Sequence, residues 1–103
     1  MDEESVKLGN KIELVGFSDL ENGEKNIVRK MVGTYLNKFE HKVGEVENLK
    51  LRLKKVHERE DNAVFQIIAT LTIPGKVYTA EEEDRNLFIT LDNALKKIES
   101  QLD

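Results

Sequence analysis

Residues 47–80 read ENLKLRLKKVHEREDNAVFQIIATLTIPGKVYTA and predict three consecutive antiparallel strands. From Glu47 to Val56 leucines alternate with cations, and this period of two places successive side chains on opposite faces of a strand. Alternation returns in residues 64–73, so we expect these residues to pair back as a hairpin. The charged segment 57–62 between the two runs is expected to be the connecting loop.

A tight turn follows the second strand, at Pro74 and Gly75. Proline fixes φ at the first central position of a turn, and glycine accepts a positive φ at the second. The third strand of the meander is therefore predicted at residues 76–80. A further strand is predicted at residues 11–17, because Ile12 and Leu14 there alternate with polar or exposed positions.

Two helices complete the chain. The first is predicted from apolar residues at spacings of one and three, with a cap at Ser18 or Asn22 and an end near His41. These apolar residues are Ile27, Val28, Met31, Val32, Tyr35, Leu36 and Phe39. The second helix is predicted from Leu87 to Leu102, and the acidic run 81–84 before it is expected to be a solvated connection.

The predicted elements follow in the order β-α-β-β-β-α, and each of them has one apolar face. We therefore expect an α+β fold in which two helices pack on one face of a four-stranded, mainly antiparallel sheet. A length of 103 residues predicts one domain. Residues 1–10 are expected to form an acidic flexible N-terminus, and residues 11–103 the domain itself.

Composition argues against an enzyme. The chain has no cysteine, which excludes disulfide scaffolds, thiolate catalysis and cysteine-ligated zinc. Its two histidines, His41 and His57, are not at a metal-ligand spacing, and its glycines form no phosphate-binding loop. We therefore predict a protein without catalytic activity, metal or cofactor.

The N-terminus begins MDEES, which is acidic where a signal peptide would be basic and then apolar. The uninterrupted apolar runs are only a few residues long, much shorter than a membrane-spanning segment. The sequence therefore predicts a soluble, cytosolic protein that does not contact a membrane.

Charge is segregated along the chain. The formal charge of the whole chain is −4, yet residues 25–59 carry a net charge of +6, while residues 1–24 and 60–103 each carry −5. Because salt screens charges beyond about 10 Å, a locally basic surface can bind phosphate even on an acidic protein. The sequence thus favours an anionic partner such as an RNA backbone.

The row Lys50, Arg52 and Lys54 lies on the polar face of its predicted strand. Like charges in a row repel each other unless they are neutralised by acids of a neighbouring strand, for instance Glu13, or by an anionic partner. An ordinary solvated surface remains the alternative for any single lysine.

The face of the sheet away from the helices offers a different kind of contact. Val15, Val64 and Ile68 are expected there, and an apolar patch of this kind can pair two copies of the protein as a weak homodimer. Phe17 is also expected to be exposed, but the other aromatic residues fall mostly on core positions. This leaves no platform for stacking nucleobases.

The C-terminal segment 86–102, NLFITLDNALKKIESQL, resembles the ribosome hibernation-promoting factor family, also called ribosome-associated inhibitor A, in its short form. Members commonly show an acid, Asp-Leu-Tyr-Ala-Ala-Ile-Asp, three residues, and then Asp-Lys-Leu-x-x-Gln-Leu. Identical residues are Leu87, Asp92, Lys97, Gln101 and Leu102. The chain departs from the pattern at Arg85 and Lys96, where the family has acids.

The resemblance implies a fold related to double-stranded-RNA-binding domains. It also implies a ribosome-binding translation inhibitor, or hibernation factor, that contacts the rRNA of the small ribosomal subunit without catalysis. With the basic strand included, the residues expected to contact RNA are Lys25, Arg29, Lys30, Lys38, Lys50, Arg52, Lys54, Lys96 and Lys97. The alternative function is a protein-interaction or self-associating module that keeps the fold without binding ribosomes.

Overall fold

In the computed structural model, backbone is described for residues 5–59 and 62–103, and side chains for residues 8–56 and 63–103. The strands are β1 Ser5–Leu8, β2 Ile12–Val15, β3 Asn48–Arg59, β4 Asn62–Ile73 and β5 Lys76–Asp84, and the helices are α1 Asn22–Val43 and α2 Leu87–Gln101. The strands form one sheet in the order β1-β2-β3-β4-β5, in which only the β2–β3 pair is parallel. This confirms the predicted α+β fold and the order β-α-β-β-β-α from β2 onward.

The sheet has five strands in the described residues, where the sequence predicted four. The additional strand is β1, which pairs antiparallel with β2 at the edge of the sheet. Its residues were expected to belong to a flexible N-terminus, and for Ser5–Leu8 that expectation is wrong. Four residues are too few to show a strand period, and pairing with the edge of β2 supplies backbone hydrogen bonds that the sequence pattern does not reveal.

The hairpin strands β3, β4 and β5 are longer than predicted. The expected loop at 57–62 is largely strand, with β3 reaching Arg59 and β4 starting at Asn62; Glu60 and Asp61 lie outside the described residues. The acidic run 81–84 is part of β5 and is not a connection to the helix. Its residues pair with the first half of β4, whose backbone groups need hydrogen-bond partners along their whole length.

Helix α1 is capped by Glu21, which lies between the two predicted caps, Ser18 and Asn22. The Oε1 atom of Glu24 accepts a hydrogen bond of 3.0 Å from the Glu21 backbone N–H, and the Glu21 side chain accepts one from the Glu24 backbone N–H. This reciprocal arrangement is a capping box. At the other end Gly44 adopts a φ of 88° and closes the helix.

Both helices pack on one face of the sheet and form a single core with it. The alternation predicted for β3 is confirmed, since Leu49, Leu51 and Leu53 are buried against the helices. From α1 the core takes Val28, Val32, Tyr35 and Phe39, and from α2 it takes Leu87, Leu91, Ala94, Leu95 and Ile98. No helix in the described part of the chain is long and apolar enough to cross a membrane.

Phe17 is buried, contrary to the expectation that it would be exposed; its exposed fraction is 5%. The cause is Gly16, whose φ of 84° breaks the strand alternation after Val15 and turns the chain toward the core. An added Cβ on Gly16 would overlap the backbone carbonyl oxygen of Leu53, so the chain passes β3 very closely here. Val15 is also buried, at 4% exposed, and contributes little to an open apolar patch.

Candidate nucleic-acid interface

The nine predicted RNA-binding residues lie on two opposite sides of the sheet. Alternation along β3 directs Lys50, Arg52 and Lys54 away from the helices, onto what we call the open face. The other six residues belong to α1 and α2 and lie on the helix side. The structure therefore divides the predicted set into separate groups that cannot all contact one flat surface of RNA.

The first group is the α1 cluster, which we define as Lys25, Arg29 and Lys30. Lys25 and Arg29 line a cavity of about 60 Å³ whose walls are mainly apolar. The remaining lining residues are Leu14, Phe17, Ser18, Leu20 and Val28. The buried Phe17 thus lines a small cavity beside two cations, a feature that the sequence analysis missed.

The α1 cluster has no acidic partner in the part of the chain whose side chains are described. Among residues 8–56 and 63–103, no carboxylate forms an ion pair with Lys25, Arg29 or Lys30. Arg29 has only a long hydrogen bond of 3.5 Å, from Nη1 to Oδ1 of Asn26. Arg29 and Lys30 are exposed and Lys25 is half-buried, so all three can meet an anion from solvent.

The second group, Lys38 and Lys96, lies around Asp92, where α1 and α2 are joined by a hydrogen bond. Lys96 forms an ion pair of 3.0 Å with Oδ2 of Asp92, and the Tyr35 hydroxyl donates to Oδ1 over 2.7 Å. Lys38 lies 4.9 Å from the centroid of the Tyr35 ring. The Tyr35 hydrogen bond, with help from Lys96 and Lys38, lowers the pKa of Asp92 despite its partial burial. The two lysines are therefore partly neutralised by one carboxylate.

Lys97, the residue that matches the family motif, lies on the other flank of α2. Its ammonium forms an ion pair with Glu82 of β5 and a hydrogen bond of 3.4 Å with the Glu81 backbone carbonyl. These contacts fix α2 against the edge strand of the sheet. Lys97 is thus used within the protein itself, on the side away from the contact between α2 and α1.

The open face carries acids as well as cations. Strand register places Lys50, Arg52 and Lys54 of β3 beside Thr70, Ile68 and Gln66 of β4. On the far side of β4, these three β4 residues are paired with Thr79, Glu81 and Glu83 of β5. Lys50 and Lys54 have no ion pair within the described side chains. Since neighbouring strands are about 4.8 Å apart, the cations of β3 and the acids of β5 are separated by roughly 10 Å.

The acids of the open face are held by a neutral side chain. The Nε2 atom of Gln66 donates hydrogen bonds to Glu81 over 2.7 Å and to Glu83 over 3.1 Å. The sequence analysis missed this arrangement, because it placed both acids in a loop. Alternation in Thr79, Glu81 and Glu83 was the signal that could have extended β5 through them.

The described residues contain no group of three or more metal-ligating side chains. The candidate site therefore consists of charged surfaces. These are the cations on α1 beside a small cavity, the paired cations around Asp92, and the open face with its mixed charge. Such groups suit contacts to phosphate or to a charged protein surface.

Solved structures with a similar fold include the two that follow. The N-terminal domain of protein Y from Thermus thermophilus matches with a TM-score of 0.61 and 20% sequence identity, over 80% of this chain and 81% of that chain. A ribosomal subunit interface protein from Coxiella burnetii matches with a TM-score of 0.59 and 20% identity, over 82% of each chain. No protein-family model and no curated protein matches the sequence. The chain thus shares the fold of these two proteins, in agreement with the fold implied by its resemblance to the ribosome hibernation-promoting factors.

Proposed function

We propose that this protein is a non-catalytic, ribosome-associated factor of the cytoplasm that contacts the rRNA of the small subunit and silences translation. The observation that carries the proposal is the α1 cluster, which has no acidic partner among the described side chains, on a fold shared with a ribosomal subunit interface protein. Cations that lack a partner in the free protein lose no ion pair when they meet phosphate.

The α1 cluster is a better RNA contact than the open face. A phosphate chain lying along β3 would pass within roughly 10 Å of Glu81 and Glu83, a distance over which their repulsion is only partly screened at physiological salt. Lys38 and Lys96 lie on the helix side as well and extend the contact, although they share Asp92. Lys97 contributes least, because it would have to leave Glu82.

Binding through the α1 cluster predicts a definite salt dependence. Each phosphate that is neutralised contributes about −0.7 to −0.9 to the slope of log K against log salt. Three contacts therefore account for a slope of about −2 to −3. This slope is the quantity that separates phosphate binding from apolar association.

The test is co-sedimentation of the purified protein with purified small ribosomal subunits across a salt series. The variant Lys25→Glu/Arg29→Glu/Lys30→Glu is expected to bind at least about a hundredfold more weakly at 0.1 M salt. The matched control is Lys55→Glu/Lys76→Glu/Arg85→Glu, which changes the net charge equally at exposed positions elsewhere. Equal binding by the two variants, with both folded by circular dichroism, would contradict the proposal.

The second candidate function is a protein-interaction or self-associating module without ribosome binding. It is favoured by the open face, whose basic and acidic rows complement each other. Absence of binding to small subunits even at low salt, together with self-association, is the result that would select this candidate.

A further inference from the structure

The open face has an ordered distribution of charge across its three longest strands. Its β3 row is basic, with Lys50, Arg52 and Lys54, whereas its β5 row is acidic, with Glu81 and Glu83. Between them the β4 row is neutral. The neutral residues are Gln66, Ile68, Thr70 and Thr72.

The two lysines of the β3 row are not paired with the acids of β5 among the described side chains. Lys50 and Lys54 form no ion pair with any described residue, and the rows stand roughly 10 Å apart. Glu81 and Glu83 instead converge on the single amide of Gln66. Two carboxylates close to one amide repel each other, so a cation that binds beside them stabilises both.

We propose that the open face binds the open face of a second copy of this chain, in a two-fold symmetric and salt-sensitive dimer. Packed sheets lie about 10 Å apart. A two-fold axis parallel to β4 and midway between the faces stacks β3 of each copy over β5 of the other. An axis perpendicular to the strands would stack basic row on basic row, so the charges select the first arrangement.

The symmetry also fixes which residues meet. Rotation about an axis parallel to β4 leaves the position of each residue along the strand direction unchanged, if the twist of the sheets is neglected. A set of residues paired across β3, β4 and β5 therefore faces the same set in the second copy. Arg52 then faces Glu81 of the second copy, and Lys54 faces Glu83 of the second copy. Ile68, which is paired with Arg52 and with Glu81, faces Ile68 of the second copy at the centre of the interface. Each contact occurs twice, as an isologous interface requires.

The size of the face predicts a weak dimer. Three strands of 9 to 12 residues present roughly 500 Å² in projection. Stable complexes bury about 800 Å² on each partner, and the apolar part here consists of a few residues: Val56, Val64, Ile68 and the 57% exposed Val77. Dissociation constants of about 10 µM or weaker follow, with charge complementarity giving orientation.

The experiment is sedimentation equilibrium of the full chain without ribosomes, from about 5 µM to about 1 mM. At 0.1 M salt the average mass is expected to rise from the monomer value of 11.8 kDa toward twice that value. At 1 M salt, where the screening length falls to about 3 Å, association is expected to weaken about tenfold.

Two charge-reversed variants make the test specific. Lys54→Glu places two acids at each contact between positions 54 and 83, and Glu83→Lys places two cations there, so each variant alone is expected to dimerise much more weakly. An equimolar mixture is expected to form a heterodimer, because every contact between the two copies then joins opposite charges. The matched control, Glu45→Lys, makes the same charge change as Glu83→Lys at an exposed position outside the face and is expected to dimerise normally.

Three outcomes would overturn the proposal: a monomeric wild-type chain at every concentration, dimers that survive both reversals, or a mixture that remains monomeric. If the wild-type chain is monomeric and Lys50→Glu/Lys54→Glu abolishes binding to small subunits, the β3 row belongs to an RNA contact and the dimer is excluded. The measurement does not depend on the α1 cluster, so it is independent of the proposed ribosome binding.

Discussion

The hydroxyl of Tyr35 donates a hydrogen bond of 2.7 Å to Oδ1 of Asp92 and thereby joins the middle of α1 to α2. Tyr35 is 7% exposed, and its pKa is raised by burial and by this bond to a carboxylate. The phenol therefore stays protonated as a donor at every physiological pH. The contact ties the two helices at a point where their other cross-helix contacts are few.

Removal of the donor by Tyr35→Phe is expected to lower the free energy of unfolding by about 1 kcal/mol. Hydrogen bonds to charged groups are typically worth about 1.5 to 3 kcal/mol, and partial exposure of Asp92 reduces that value. Urea denaturation monitored by circular dichroism measures the change. An unaltered midpoint would mean that water replaces the phenol without loss.

The same pair predicts a pH dependence. The folded-state pKa of Asp92 lies below its ordinary value of about 3.9, chiefly because of the Tyr35 hydrogen bond. The stabilisation is therefore complete above about pH 5 and declines as the pH falls through the lowered pKa. The stability difference between wild type and Tyr35→Phe is expected to shrink between pH 5 and pH 2. A difference that grows on acidification would contradict the assignment.

Gly16 and Gly33 form a matched pair for glycine substitution. Gly16→Ala adds a Cβ against the Leu53 carbonyl at a residue whose φ is 84°. It is expected to lower the free energy of unfolding by at least about 2 kcal/mol. Gly33 lies inside α1 with open space at the Cβ position, so Gly33→Ala is expected to stabilise by about 0.5 to 1 kcal/mol. Thermal unfolding is expected to show a lower melting temperature for Gly16→Ala and a higher one for Gly33→Ala. Equal changes in the two variants would contradict the different surroundings of the two glycines.

Asn86 caps α2, since its Oδ1 atom accepts from the backbone N–H groups of Phe88 over 2.9 Å and Ile89 over 3.0 Å. Asn86→Ala is expected to destabilise the protein by about 1 kcal/mol, while Asn86→Asp preserves the cap. Denaturation of both variants distinguishes lost capping from a general effect of substitution. Similar losses for the two variants would show that the cap is not the cause.

Lys30 and Lys97 allow the proposed RNA contact to be tested one residue at a time. Lys30→Gln is expected to weaken binding to small subunits about three- to tenfold at 0.1 M salt and to reduce the salt slope by about 1. Lys97→Gln is expected to change affinity less, because Lys97 is already paired with Glu82. A larger effect at Lys97 would place the RNA contact on the flank of α2 beside β5.

Sequence periodicity was sufficient to predict both helices and the three hairpin strands. Alternation around Leu51 and the apolar stripe through Val32 follow from local geometry, which fixes the face on which each side chain lies. The same local rule placed Lys50, Arg52 and Lys54 together on one strand face. Candidate cations could be named from sequence for this reason, before any distance was known.

Only the tertiary structure decided how segments that are distant in sequence lie relative to one another. Parallel pairing of β2 with β3, the turn at Gly16 that buries Phe17, and the added strand β1 all depend on backbone partners supplied from elsewhere. The division of the cations follows from the same cause, because ion pairs such as Lys97 with Glu82 join residues that periodicity does not relate. Local sequence fixes faces by the geometry of one element, whereas register and charge pairing are fixed by packing between elements.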